Sequence, residues 1–359
     1  MNKLLIIDGS GLLVSNYYGT LPPEVQYAKT QEEAEKNYDK IAQYNDYYIN
    51  ALYPTIKQII EYSLLSKTTH LAVCFDKSRK DTFRKKMYTN YKSNRKNTPL
   101  PLKQQFILCE EILKSIGISV FYDDKYEADD FAGSIAAQIK EPNLEKIILS
   151  KDKDYLQLAD ENTTIWMMLA KKEMADNILS KYKLTKEAGY KEYLPDKVVP
   201  YNLDIIKKEK NVFAPNFADV LALAGDKTDN IPGVNGVSEE TAERLIGYYN
   251  NIESLYNDID LNAENNSIDT MKNMWKNDLK IKRSPYNALI KYKDDAFLSS
   301  KLTKIKRDIN MRELYPDFNF ESLKIKGFTL NILKNNTYIT SEIRTNIQNV
   351  INEIIDKKG

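Results

Sequence analysis

The sequence predicts an α/β fold with a mostly parallel central sheet flanked by helices, and three observations carry that expectation. Short, continuous apolar runs recur at residues 4–7, 70–75, 118–122 and 146–149. Such runs suit strands buried on both faces of a parallel sheet, where no polar alternation is required. Stretches of helical period separate them at residues 54–65, 102–115 and 128–140, and strands alternating with helices build crossover units. Acidic residues follow the runs: Asp8, Asp76, Asp123 with Asp124, and Asp152. In sheets of this kind ligands bind outside the carboxyl ends of the strands.

The first run stops at Asp8-Gly9 after a few residues and no small-residue cleavage site follows, so it reads as a strand and not as a secretion signal. Thr30-Gln31-Glu32-Glu33 has the form of a capping box. Beyond it Ala34, Tyr38, Ile41, Tyr44, Tyr48 and Leu52 recur at helical spacing, which predicts one long helix with a tyrosine-rich face packed on the body. Residues 160–213 have weak periodicity and many lysines, and are expected to be a variable insertion, as are residues 21–53. From residue 216 the pattern sharpens. Asn216 can cap a helix through Ala224, a turn-rich stretch runs from Gly225 to Val237, and Ser238 can cap a second helix through Tyr249. This is a helix–hairpin–helix. The remainder is helical in places, with basic runs at residues 280–283 and 301–307. The expected organisation is an α/β core over 1–213, a hairpin region over 214–310 and an extension over 311–359.

With 359 residues and a net charge of +1, any nucleic-acid binding must come from local charge. Two cysteines, Cys74 and Cys109, both in apolar stretches, suit buried thiols in a reduced cytoplasmic protein. A single histidine, His70, excludes multi-histidine metal sites. No apolar run approaches the length of a membrane span.

The chemistry lies in five acidic clusters: Asp8; Asp76; Glu127, Asp129 and Asp130; Asp152 and Asp154; Asp226 and Asp229. If the sheet is parallel, the first four converge on one edge, and Asp226 and Asp229 can share a face of a helical turn. Carboxylates gathered so closely repel one another unless cations neutralise them. Oxygen-only ligation without His or Cys indicates Mg²⁺ or Mn²⁺. Two such ions about 4 Å apart suit phosphodiester hydrolysis. Immediately after Asp76 comes a basic segment: Lys77, Arg79, Lys80, Arg84, Lys85, Lys86, Lys92, Arg95, Lys96 and Lys103, opposed only by Asp81. Above a metal site it suits a polyanion, and Tyr88 and Tyr91 within it can stack on an unpaired base.

Taken together, LLIIDGSGLL, AVCFDKSRKDTFRKKMYTNYKSNR, EADD, ILSKDKDYLQL and GDKTDNIPGVNGVSEETA, in this order, resemble the 5′-nuclease, or flap-endonuclease, family. That family includes the N-terminal nuclease domain of bacterial DNA polymerase I and stand-alone phage and bacterial exonucleases. The resemblance covers roughly residues 1–310 and implies a PIN-like nuclease core, a helical arch and a metal-dependent 5′→3′ exonuclease or flap endonuclease. It implies that Asp8, Asp76, Glu127, Asp129 and Asp130 serve one metal ion and Asp152, Asp154, Asp226 and Asp229 a second. Lys92 and Arg95 fall at the family's YK-x-x-R position, where they would act on the scissile phosphate. Arg84 and Tyr91 would be DNA contacts. Gly233 and Gly236 would let hairpin amides approach the duplex backbone, with a K⁺ ion held by hairpin carbonyls. Glu239 and Glu240 would repel a phosphate at the start of the following helix. The implied partners are DNA with 5′ flaps, nicks or free 5′ ends and RNA primers annealed to DNA, bound by a monomer. Rival readings are a non-catalytic branched-DNA-binding protein, a PIN-like ribonuclease, which typically lacks the hairpin, and an aspartyl phosphatase, which needs a second aspartate two residues after Asp8.

Overall fold

A six-stranded sheet forms the centre of the protein in the computed structural model, which describes residues 2–44, 46–78, 80–184 and 194–326 with Thr345 and Asn349. In chain order the strands are β1 (Lys3–Asp8), β2 (Gln43–Tyr44), β3 (Tyr47–Tyr48), β4 (His70–Cys74), β5 (Ser119–Phe121), β6 (Glu145–Ser150), β7 (Thr163–Met168) and β8 (Val198–Tyr201). The sheet order is β5-β4-β1-β6-β7-β8, while β2 and β3 form a separate hairpin. All main-sheet pairings are parallel except β7 with β8.

The continuous apolar runs are explained by burial on two sides. Leu4 and Ile6 pack into a core with Phe131 and Ile135 of the helix Ala128–Gln138. Leu5 and Ile7 pack into another with the helices Leu52–Leu65 and Leu100–Ser115. All four side chains are fully buried, each contributing roughly 1.5–3 kcal/mol of transfer free energy. In the register, Asp8 stands opposite Cys74, and Ile7 opposite Leu149. The carboxyl ends of β4, β1 and β6 are therefore level, and whatever follows them meets at one edge.

One expectation fails. The tyrosine-spaced segment is not one helix. It is the short helix Gln31–Glu35, a 3-10 turn at Tyr38–Lys40 and the β2–β3 hairpin. Thr30 does cap its helix, accepting from the Glu33 amide. The spacing instead builds a small satellite core in which Val25, Tyr38 and Ile41 pack with Ala34 and Tyr48. Strand-favouring Tyr44, Tyr47 and Tyr48 on either side of the turn-favouring Asn45-Asp46 win over a sparse helical period. Residues 160–213, expected to be a variable insertion, supply β7, the helix Lys172–Lys181, edge strand β8 and the helix Leu203–Lys210. Residues 185–193 of that segment, and Arg79 of the basic run, lie outside the described residues.

The core runs unbroken from the sheet into the helices Phe217–Ala224 and Glu239–Tyr249, joining Ile148 and Leu156 to Phe217, Leu221 and Leu245. The helix Lys293–Thr303 lies along the first of these. Past residue 311 the chain returns to the β4–β5 edge. The Tyr315 hydroxyl bonds the backbone of Tyr122, Phe320 stacks on His70, and Phe318 meets Phe121 edge-on. From residue 327 the expected extension lies outside the described residues, Thr345 and Asn349 apart. Among the described residues no helix is long and apolar enough to cross a membrane.

Candidate active site

The level strand ends bring the acids together. Asp8 closes β1 and is only 8% exposed; its Oδ1 accepts from the Gly11 amide at 2.8 Å and its Oδ2 from the Ser150 hydroxyl at 2.8 Å. Burial pushes its carboxyl up to about 7, and Asp76 and Asp152 push the same way against those hydrogen bonds. Asp76, just past β4, is held by the Ser10 hydroxyl, which accepts from its amide, and by the Ala128 amide, which donates to its carboxylate at 2.9 Å. That last bond ties the acidic end of β4 to the helix carrying Glu127, Asp129 and Asp130. Acid spacing alone does not point to Ser10 and Ser150. The signal was their position beside Asp8 in sequence and at the end of β6.

Oxygens of Glu127, Asp129 and Asp130 lie within 4.8 Å of one another. They are not equivalent. Arg84 is 1% exposed, and all five of its N–H groups find acceptors. Nε donates to the Leu302 carbonyl at 2.8 Å, Nη1 to Glu127 at 2.9 Å and to Asp130 at 2.7 Å, and Nη2 to Asp130 at 2.8 Å and to the Lys304 carbonyl at 3.1 Å. Asp130 also accepts from the amides of Lys306 and Glu127. Its four lone pairs are thereby filled by protein donors, so of the three acids gathered within ligand distance of one another Asp130 is the one held as an anchor. Arg84 likewise has no N–H left for a phosphate, and its assignment as a DNA contact is withdrawn. Asp129, with a side chain 24% exposed, is the open member of the trio. Burial and then Asp130 drive its carboxyl well above the usual range.

The arch returns two cations to the acids. Lys92 sits at φ 53, its amide donating to the Asp229 carbonyl at 2.8 Å, and its ammonium pairs with Glu127. Burial alone would raise the Glu127 carboxyl, but Lys92 and Arg84 hold it down at about 2. Arg95 pairs with Asp229. Tyr91 is 4% exposed, its ring packed against Ile231 and Leu302 and its hydroxyl donating to Glu127 at 2.9 Å. The ring has no free face, so the expected base-stacking contact at Tyr91 is corrected to a pillar under the arch.

Asp152 caps the 3-10 turn Lys153–Leu158 by accepting from the Asp154 amide. Asp154 is driven well above the usual range by burial and then by Asp152, Asp226 and Asp229. Asp152, Asp226 and Asp229 thus stand near enough to act on Asp154, while among the described residues only Glu127, Asp129 and Asp130 gather within 4.8 Å. Asp226 and Asp229 do not share a helical turn as expected. They stand in a tight turn closed by backbone pairing of Asp226 with Ile231.

That turn opens the hairpin. Gly233 sits at φ 60, where an added Cβ would fall 2.3 Å from the Gly225 nitrogen, and its amide donates to the Ser299 hydroxyl. Gly236, at φ 92, has open space around it. Ser238 caps its helix through the Thr241 amide, whereas the Asn216 side chain caps nothing. The expected repulsion at Glu239 is also neutralised, because Lys153 and Lys210 pair with it. Lys153 stands between Asp152 and Asp154, so one salt bridge links the acidic loop to the second hairpin helix.

Residues 3–189 match the family model described as 5′-3′ exonuclease, N-terminal resolvase-like domain, and residues 212–326 match 5′-3′ exonuclease, C-terminal SAM fold. A 5′-3′ exonuclease of Buchnera aphidicola subsp. Acyrthosiphon pisum (strain APS) is 32% identical over 349 residues, 93% of this chain and 96% of its own length. DNA polymerase I of Caldicellulosiruptor bescii is 30% identical over 307 residues, 86% of this chain but 29% of the polymerase. The chain therefore spans less than a third of that polymerase and nearly all of that exonuclease. The fold is also that of T5 5′-exonuclease with divalent (zinc) ions bound (TM-score 0.52, 15% identity, 100% of both chains). It is shared with the catalytic core of Rad2 in complex with DNA substrate (TM-score 0.52, 12% identity, 98% of this chain and 93% of that one). With two family models in sequence order and a relative matched over 96% of its length, the chain belongs to the 5′-3′ exonuclease family.

Proposed function

We propose that the chain is a structure-selective 5′ nuclease, hydrolysing DNA phosphodiester bonds near 5′ flaps, nicks or free 5′ ends, including RNA primers annealed to DNA. The observation that carries this reading is the meeting of two acidic groups under Lys92 and Arg95. Asp8, Asp76, Glu127 and Asp129 form one group, and Asp152, Asp154, Asp226 and Asp229 the other. Their chemistry fits two Mg²⁺ or Mn²⁺ ions: the donors are oxygen only, and burial and mutual repulsion raise the carboxyls of Asp8, Asp129 and Asp154. Such ions, when bound, activate water and stabilise the leaving oxygen. The chain supplies the rest. Arg84 and Asp130 fix the helix start that presents Glu127 and Asp129. Lys92 and Arg95, on a segment pinned to Asp229, meet the scissile phosphate. Gly236, exposed at φ 92, presents the hairpin backbone to the duplex, whose grip selects the substrate, while the buried Gly233, its amide committed to Ser299, packs the turn on Gly225 and is not itself a DNA contact. We take 1–213 as the nuclease core, 214–310 as the hairpin region and 311–359 as an extension. The two buried free thiols support a reducing cytoplasmic setting.

The test is cleavage of a 5′-labelled flap beside a blunt duplex and a single strand, with Mg²⁺ and with chelator. Mg²⁺-dependent cutting near the flap junction is expected. No product in Mg²⁺ or Mn²⁺, despite tight flap binding, overturns the reading in favour of a binding module. Lys92→Ala should slow cleavage at saturating substrate by roughly 10²-fold, the scale for one electrostatic partner of a transition state. Binding should change far less. Weakened binding with an unchanged maximal rate would make Lys92 a positioning contact instead.

A further inference from the structure

We infer that the loop of residues 276–285 is a second contact for the phosphate backbone of duplex DNA, extending the grip of the hairpin. The inference rests on the proposed role of that hairpin. Lys276, Lys280, Lys282 and Arg283 are all exposed, and none has a carboxylate partner among the described residues. Their neighbours differ. Lys272 pairs with Asp269, Lys293 with Asp260, and Arg244 with Glu240. Of the acids nearby, Asp278 is exposed and Glu240 is held by Arg244. Unpaired cations gathered this closely repel one another, and a polyanion is what relieves that repulsion.

The loop is fastened in place. Trp275 is fully buried and Ile281 is 4% exposed, with the Ile281 amide donating to the Trp275 carbonyl at 2.9 Å. Lys280 and Lys282 therefore flank an inward-facing anchor and stay at the surface. Arg244, on the second hairpin helix, donates to the Leu279 carbonyl at 2.7 Å. On the other side the helix Tyr286–Lys291 leads to Tyr292, whose hydroxyl lies beside Asn235 of the hairpin. Six helical residues span about 9 Å, close to three base-pair steps of 3.4 Å along one DNA strand. A duplex held at the hairpin can thus continue past exposed Lys291 onto the basic loop. This continuity favours duplex DNA over an acidic protein as the partner.

The experiment compares the parent with the combined variant Lys280→Gln, Lys282→Gln, Arg283→Gln, all surface changes. Binding is measured without divalent ions, as a function of salt, on a flap with a long duplex arm and on a single strand. Each lost phosphate contact removes about 0.9 from the slope of log affinity against log salt, so the variant's slope on the duplex should be shallower by roughly 2–3. Single-strand binding and the cleavage rate at saturating substrate should match the parent. An unchanged slope on the long duplex overturns the proposal and leaves an acidic protein as the loop's partner. Equal weakening on duplex and single strand overturns it as well, because the loop then acts only through its general field. Failure of the parent to cleave would sink the nuclease reading alone, since this binding measurement needs no cleavage.

Discussion

Asp129→Asn should lower single-turnover cleavage of a flap by roughly 10³-fold, the upper scale for removal of one preorganised electrostatic group. The expectation singles out Asp129 because its neighbours are committed elsewhere. Asp130 has every lone pair filled by Arg84 and two amides, and Glu127 is held by Arg84, Tyr91 and Lys92. Asp129 keeps solvent exposure, and burial with Asp130 beside it disfavours its charged form. Removing that charge should leave flap binding in chelator as tight as in the parent or tighter, because one repulsive carboxylate has gone. The melting temperature in chelator should not fall, for the same reason. Cleavage within a few-fold of the parent would remove Asp129 from the metal-holding set. A lowered melting temperature would instead make it a structural acid like Asp130.

The central strands were legible because burial on both faces leaves one plain signal, and residues 4–7 and 70–75 carry it without interruption. The β7–β8 addition was not. Thr163–Met168 mixes threonine with apolar residues, and β8 carries a proline, Pro200, on an antiparallel edge. Neither offers a clean period of two. The tyrosine segment misled for another reason. Helical spacing marks residues that share an apolar face, but Tyr38, Ile41 and Tyr48 share theirs through a satellite cluster made by a turn and a hairpin. Spacing names the neighbours without saying which backbone brings them together.

The acidic set was legible because parallel strands put their carboxyl ends at one edge, whatever the helices between them do. Which acids are open was not legible. That depends on Arg84 reaching the carbonyls of Leu302 and Lys304, more than two hundred residues away in sequence. A basic run read in one dimension looks uniformly exposed. In the fold its members divide into an interior clamp at Arg84, paired cations at Lys92 and Arg95, and surface charge at Lys80 and Lys86. The Lys153–Glu239 pair was hidden in the same way, since opposite charges far apart in sequence leave no periodic trace.

Arg84→Met should destabilise the protein by about 3–5 kcal/mol, the usual cost of breaking a buried ion pair by removing one partner. Methionine fills much of the volume but leaves Glu127 and Asp130 charged, buried and partly unpaired, with two carbonyls without donors. Arg84→Lys keeps the charge but cannot reproduce five donors in a planar fork, so an intermediate loss is expected. The added change Asp130→Asn should recover part of the Arg84→Met loss, because the two residues act on one network and their effects are then less than additive. Chemical denaturation of the single and double variants checks this. The phosphate-contact role drawn from sequence predicts the opposite pattern: weaker DNA binding, a shallower salt dependence and unchanged stability. A stable Arg84→Met protein with that binding defect would overturn the buried clamp.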